Sequence, residues 1–255
     1  MLSKNRVNFI LSLQKKKVRE EEKLFIIEGD KLVREFIGAG IALRTLVAKP
    51  EFISTLSASD RDQADEIVPA TYDELKKVST LKTPHNAIAI VKMPEFIQDL
   101  NPDTDELSVV LDCIQDPGNL GTIIRAAAWF GIKRVYCSPD SVDVFNPKVI
   151  QATMGAILHV KVIYTAVNDL LCYARENSMR VYGTVIEGES LYTYNLENKG
   201  LVLLGNESKG ISAELMPLIT DRITIPGFAQ RKSGIDSLNV GMAASVVFSE
   251  FARRR

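Results

Sequence analysis

The stretch Ser108-Val109-Val110-Leu111-Asp112-Cys113-Ile114-Gln115-Asp116-Pro117-Gly118-Asn119-Leu120-Gly121-Thr122-Ile123-Ile124-Arg125-Ala126-Ala127-Ala128 contains a strand, an enforced turn and a helix start. Its apolar run up to Asp112 is continuous rather than alternating, as in a strand covered on both faces. Pro117-Gly118 demands a turn, Asn119 is a competent N-cap, and a helix is predicted from about Leu120 to Phe130. Arg125 lies among Ile123, Ile124, Ala126 and Ala127, in a stretch that reads as buried. A buried guanidinium needs an anionic partner, either a structural carboxylate or an anionic group of a ligand.

Downstream the same alternation continues. Strands are predicted at 134–137, 180–184, 201–204 and 222–225, with helices around 147–150 and 167–171 and a closing helix from about Ser237 to Phe251. Upstream, an amphipathic helix containing Val7, Ile10 and Leu11 carries Lys15-Lys16-Lys17 and Arg19 before Glu20. Strands at 24–27, 43–47 and 87–91 and helices through Phe36 and over 72–78 follow. The prediction is an α/β protein. A small N-terminal α/β domain spans 1–97, an acidic linker 98–106, and a parallel-sheet α/β domain 107–255.

With 31 Lys+Arg against 32 Asp+Glu in 255 residues, the chain is no bulk polycation, although local basic stretches remain compatible with nucleic acid. Three cysteines, Cys113, Cys137 and Cys172, form no close pair, which predicts reduced, buried thiols in a cytoplasmic setting. Only His85 and His159 are available to a histidine-based metal site or triad, so no metal is expected. No secretory leader is read at the start, and no apolar run approaches about 18 residues, so no membrane association is expected.

Ligands of parallel sheets bind outside the carboxyl ends of the strands, which directs attention to the loops after Asp112, Thr184, Leu204 and Ile225. The Rossmann glycine fingerprint is absent. Gly205-Asn206-Glu207-Ser208-Lys209-Gly210-Ile211-Ser212 has the glycine spacing of a P-loop, but Ile211 stands where that motif needs lysine. After Ile225-Pro226, the helix beginning near Ser237-Leu238-Asn239 is rich in small residues: Gly241, Ala243, Ala244 and Ser245. They imply a close approach of this helix to a loop or ligand. Ser237 reads as an ordinary N-cap, and no histidine lies near it in sequence to make it a nucleophile.

Taken in order, Asp116-Pro117-Gly118-Asn119-Leu120-Gly121 leading to Arg125, Leu204-Gly205-Asn206-Glu207-x-x-Gly210, and Ile225-Pro226 leading to Ser237-Leu238-Asn239-Val240 resemble the three motifs of the SpoU-type (TrmH-like) RNA 2′-O-ribose methyltransferases of the SPOUT superfamily. The resemblance covers roughly residues 107–252, and Met154-Gly155-Ala156 resembles the family's small-residue turn. More loosely, Phe25-Ile26-Ile27-Glu28-Gly29 resembles the start of the family's RNA substrate-binding domain.

The resemblance implies a deep trefoil knot in the C-terminal domain, which connectivity rules alone make improbable. It implies S-adenosylmethionine as methyl donor, a tRNA or rRNA ribose 2′-hydroxyl as acceptor, and a homodimer with shared active sites. It assigns Gly205, Ile225 and Leu238 to the cofactor, with Thr184, Asn206 and Pro226 beside them. Asn119, Arg125, Glu207, Ser237 and Asn239 form the catalytic set. Arg125 acts there either as a base or as a charged clamp on the adjacent phosphate and developing alkoxide, and free guanidinium keeps its proton to about pH 12.5 or above.

This chain departs from the family in its third motif, where Gly227 follows Pro226 and a longer bridge, Phe228 through Asp236, carries Arg231 and Lys232. The alternative function is a non-catalytic RNA-binding or cofactor-binding protein that retains the fold. Arg6, Lys15, Lys16, Lys17, Arg19, Arg231, Lys232 and Arg253-Arg254-Arg255 are candidate RNA phosphate contacts.

Overall fold

Apolar strand runs separated by amphipathic helices generate two sheets in this protein. The computed structural model describes residues 2–94, 101–228 and 237–254. The elements are α1 (Lys4–Ser12), α2 (Lys16–Glu22), β1 (Leu24–Glu28), α3 (Asp30–Gly38), β2 (Leu43–Ala48), α4 (Pro50–Ser54), α5 (Ala58–Arg61), β3 (Ile67–Pro69), α6 (Tyr72–Val78) and β4 (Ala87–Lys92). They continue as β5 (Leu107–Leu111), α7 (Pro117–Trp129), β6 (Arg134–Cys137), α8 (Pro147–Thr153), β7 (Lys161–Tyr164), α9 (Val167–Glu176), β8 (Val181–Ser190), β9 (Gly200–Leu204), β10 (Asp221–Thr224) and α10 (Val240–Arg253).

The chain divides into two units, Met1–Ile97 with Asp143–Leu158, and Gln98–Val142 with His159–Arg255. In the first, a four-stranded sheet has the order β1-β4-β2-β3, with β4 antiparallel to β1 and β2, and β3 parallel to β2. Its core includes Ile10, Leu13, Ile26, Val47, Leu75 and Ile90. The segment Asp143–Leu158 joins this unit through α8, which packs on β1, and through Phe145, whose ring lies 4.8 Å from that of Phe25.

The first helix differs from its sequence reading. It breaks after Ser12, because Arg19 of α2 turns inward and donates to the carbonyls of Leu13 and Gln14 at 2.9 and 2.8 Å. The same guanidinium pairs with Asp143 through Nε at 3.1 Å and through Nη2, and it is 1% exposed. Arg19 is therefore a structural pin and not an RNA contact. Lys16 and Lys17 remain exposed and face Glu20 and Glu21 one turn later.

The second unit has six strands in the order β10-β8-β9-β5-β6-β7, all parallel. Both central strands, β5 and β9, are buried along their whole length, as their uninterrupted apolar runs require. This order sets β10, β8, β9 and β5 side by side, so the loops after Asp112, Leu204 and Ile225 are neighbours, whereas the loop expected after Thr184 is a continuation of β8. β8 runs past Thr184 to Ser190 and bulges against β10, the register jumping from Gly183 to Glu189 between Arg222 and Ile223. Of the cysteines Cys137 alone is buried; Cys113 and Cys172 are half-buried, and all three are free. No helix among the described residues is long and apolar enough to cross a membrane.

Breaking a buried pair strands the remaining charge. Arg19→Ala is expected to destabilise the fold by about 3 to 5 kcal/mol, read from urea unfolding. A loss under about 1 kcal/mol would show that the pin is dispensable.

Candidate functional site

Helix α7 starts earlier than the sequence implies. Pro117 occupies its first position, and Asp116 is the N-cap, with Oδ1 accepting from the Asn119 backbone N–H at 2.8 Å. Asn119 is thus not the cap, and its amide is free to leave the helix. Helix α10 likewise starts at Val240 with Asn239 as its cap, so Ser237 is exposed ahead of it and caps nothing. Asn239 Oδ1 accepts from the N–H groups of Gly241 and Met242 at 3.0 and 3.2 Å.

These two starts meet. Asn119 Nδ2 donates to Glu207 Oε1 at 2.8 Å, and Asn239 Nδ2 donates to Asn119 Oδ1 at 2.9 Å. The direction of the chain follows from chemistry. An ionised Glu207 only accepts, so Asn119 must turn its NH2 toward it and its oxygen toward Asn239. The starts of α7 and α10 are thus joined through these side chains. The small-residue helix does make a close approach, but to another helix. A Cβ on Gly241 would lie 3.0 Å from Thr122 Cγ2 of α7.

The loop after β9 is a tight reversal. Asn206 and Gly210 exchange both backbone hydrogen bonds at 2.9 Å, and Gly210 has a φ of +71°. A Cβ on Gly205 would fall 2.3 Å from Gly210 C and Ile211 N, so only glycine fits. The Asn206 side chain is committed to structure. Its Oδ1 accepts from the N–H groups of Ser208 and Lys209 at 3.0 and 3.1 Å, and its Nδ2 donates to Cys113 O at 2.8 Å. Buried Asp112 adds a second tie, accepting from Ser212 N–H at 2.7 Å. Cys113 is no nucleophile: a hydrogen bond to the Asp140 carboxylate, then burial, push its thiol up to about 11.

A cavity of about 560 Å³ opens at these strand ends. Thr184, Gly205, Asn206, Ile225, Pro226 and Leu238 all line it, together with Glu207 and Ser237. Thr184 is anchored there through Oγ1, which donates to Leu203 O at 3.0 Å. Asn119 and Asn239 reach the cavity through Glu207. Arg125 does not join them. It is exposed on α7 rather than buried, and its side chain makes no hydrogen bond or ion pair among the described residues. Arg231 and Lys232 lie outside the described residues.

Ala243, one of the small residues read in the sequence, also lines the cavity, while several lining residues escaped that reading: Ile186 and Leu191 around the β8 bulge, Lys209, and Val247 of α10. Val240, Ala243 and Val247 recur at helical spacing and could have been found as one face; the bulge has no comparable signal. Of the three terminal arginines, Arg255 lies outside the described residues. Arg253 and Arg254 both pair with Glu250, and Arg254 also donates to the carbonyls of Leu191, Tyr192 and Tyr194. These arginines hold the Glu250 carboxyl down at about 2, against the opposing effect of burial. Among the described residues no group of three or more metal-ligating side chains occurs.

The geometry agrees with comparisons across known proteins. The sequence profile of the SpoU rRNA Methylase family matches residues 106–249, and that of the MRM3-like substrate binding domain matches residues 4–89. A 23S rRNA (guanosine(2553)-2′-O)-methyltransferase from Bacillus subtilis is 28% identical over 236 residues, which are 92% of this chain and 91% of that protein. A Porphyromonas gingivalis structure assigned to the TrmH family of RNA methyltransferases superposes over 100% of both chains with a TM-score of 0.87 and 38% identity. An AdoMet-bound rRNA methyltransferase from Sinorhizobium meliloti gives a TM-score of 0.87 at 27% identity, over 100% of this chain and 96% of its own. By motif order, strand order and the extent of the profile match, this chain belongs to the SpoU rRNA methylase family.

Proposed function

We propose that this protein transfers the methyl group of S-adenosylmethionine to a ribose 2′-hydroxyl of ribosomal RNA. The observation that carries the reading is the cavity at the ends of β8, β9 and β10, with the Glu207-Asn119-Asn239 chain at its rim. Ribosomal rather than transfer RNA is favoured by the substrates named for the Bacillus and Sinorhizobium relatives.

The residues fit the donor. Leu204, Ile223, Ile225, Leu238 and Val240 provide apolar walls for a flat heterocycle, while the turns at Gly205 and Pro226-Gly227 present backbone groups to its polar edges. Among the described residues, a Cβ at Gly227 would meet nothing within 4 Å. Bound S-adenosylmethionine supplies an electrophilic methyl group. The protein's task is to aim a hydroxyl at it and to stabilise the charge that develops as the proton leaves. In this reading Asn119, locked by Glu207 and Asn239, positions the ribose. Water-exposed Arg125 acts as the charged clamp on the neighbouring phosphate and alkoxide, and Ser237 lies on the cavity side of the acceptor.

The family's deep trefoil knot is part of this reading, on the strength of the family match alone. So is the homodimer. Trp129 is 84% exposed and Met242 61% exposed, an apolar load that a second copy would cover. Thr122, Arg125 and Trp129 share one face of α7 by helical spacing, so covering Trp129 would place Arg125 in a shared active site. Free thiols at Cys113, Cys137 and Cys172 fit a cytoplasmic setting.

Arg125→Ala is expected to lower methyl transfer to ribosomal RNA by about 100-fold or more while changing cofactor affinity less than about threefold, measured with labelled S-adenosylmethionine and by calorimetry. Cofactor binding without methyl transfer by the unaltered protein would favour the non-catalytic alternative. Gly205→Ala should abolish cofactor binding, since its methyl overlaps the Gly210-Ile211 peptide. Trp129→Glu should yield a monomer in sedimentation and lose activity with it; an active monomer would remove the shared-site reading.

A further inference from the structure

The first unit contains a cavity of about 760 Å³ that the methyl-transfer reading does not use. It opens where the carboxyl ends of β1, β2 and β3 meet the amino end of β4. Backbone bonds extend the sheet into its rim: Gly29 N–H to Ala87 O at 2.9 Å, Lys49 N–H to Asn86 O at 2.8 Å, and Ala70 N–H to Ala48 O at 2.9 Å. The rim is therefore rigid.

Its side chains combine flat surfaces with one polar edge. The Arg34 guanidinium lies 4.9 Å over the Phe52 ring and also donates to Thr55 Oγ1, so a planar platform is held in place. Tyr72, 42% exposed, presents a second ring with Lys49 Nζ 5.2 Å from its centre. Asp30 accepts from Asn86 at both oxygens, from the backbone N–H at 3.0 Å and from Nδ2 at 2.7 Å. A carboxylate oxygen can accept more than one hydrogen bond, so Asp30 still offers a fixed acceptor edge. Asp30, Glu51 and Glu74 outnumber Arg34 and Lys49 in the lining, which disfavours a free anion.

A neutral, flat heterocycle with N–H donors satisfies both the platforms and the edge. Within a protein that handles RNA, that is an unpaired base: bases stack on aromatic rings and guanidinium planes, and are read along their hydrogen-bonding edges. We propose that this cleft binds a single unpaired RNA base bearing an amino group, stacked on Tyr72 or Arg34 and read by Asp30, thereby anchoring the substrate away from the methylated ribose. The inference rests on the RNA methyltransferase reading above.

The test uses the full chain and a U-rich single-stranded RNA with one central 2-aminopurine, whose fluorescence is quenched by stacking. Binding by the wild-type protein should quench it. Tyr72→Ala should weaken binding by about tenfold while Tyr72→Phe preserves it, consistent with loss of one base-stacking contact. Asp30→Asn should erase the preference for the aminopurine strand over an all-uridine strand. Thermal melting establishes that each variant is folded. Absence of quenching, equal binding by Tyr72→Ala, or equal affinity for the all-uridine strand would overturn the proposal. Competition by 2-aminopurine riboside as strong as by the RNA would also overturn it, assigning the cleft to a small molecule. The two readings fail separately. No methylation of any RNA by the wild-type protein defeats the proposed function, whereas methylation with an unchanged KM in Tyr72→Ala defeats only the cleft.

Discussion

The course of the chain from Gly205 to Ser212 is the constraint on which the second unit's site depends. A side chain at Gly205 would collide with the Gly210-Ile211 peptide, so the reversal is possible only because that residue has none. The reversal is then tied on both sides to the exit of β5, by Asn206 to Cys113 O and by Ser212 N–H to Asp112. Once it is held this way, Glu207 has one place to go, and Asn119 and Asn239 orient around it. The Glu207 carboxylate sets which way the Asn119 amide turns, and Asn119 in turn sets the Asn239 amide.

Helix capping decides which polar side chains remain available for chemistry. Asp116 takes the capping task on α7 and frees the Asn119 amide, whereas Asn239 caps α10 with its oxygen and still donates from its nitrogen. Near-neutral total charge is explained in a similar way. Arg19 and Arg254 are consumed in buried or half-buried pairs, whereas Arg253, Lys16 and Lys17 pair with glutamates yet stay exposed. Of the cations that look most like a nucleic-acid surface in the sequence, Arg19 and Arg254 are structural. Arg34 and Lys49 instead stand over aromatic rings, beside a cavity that no motif marks.

What the sequence determined by itself is the alternation of elements and the parallel character of the second sheet. Apolar runs report burial on both faces, and turn residues such as Pro117-Gly118 and Gly205 have local steric meanings that survive any context. Thr184, Gly205, Asn206, Ile225, Pro226 and Leu238, named through the family resemblance, line one cavity at the strand ends. Tertiary structure alone decided the exposure of Arg125, the inward turn of Arg19, the β8 bulge, the packing of Asp143–Leu158 with the first unit, and the cleft between Asp30 and Tyr72. Each of these depends on a partner far away in sequence. Local pattern says whether a side chain prefers water, but which carboxylate, ring or carbonyl meets it is set by the packing of distant segments.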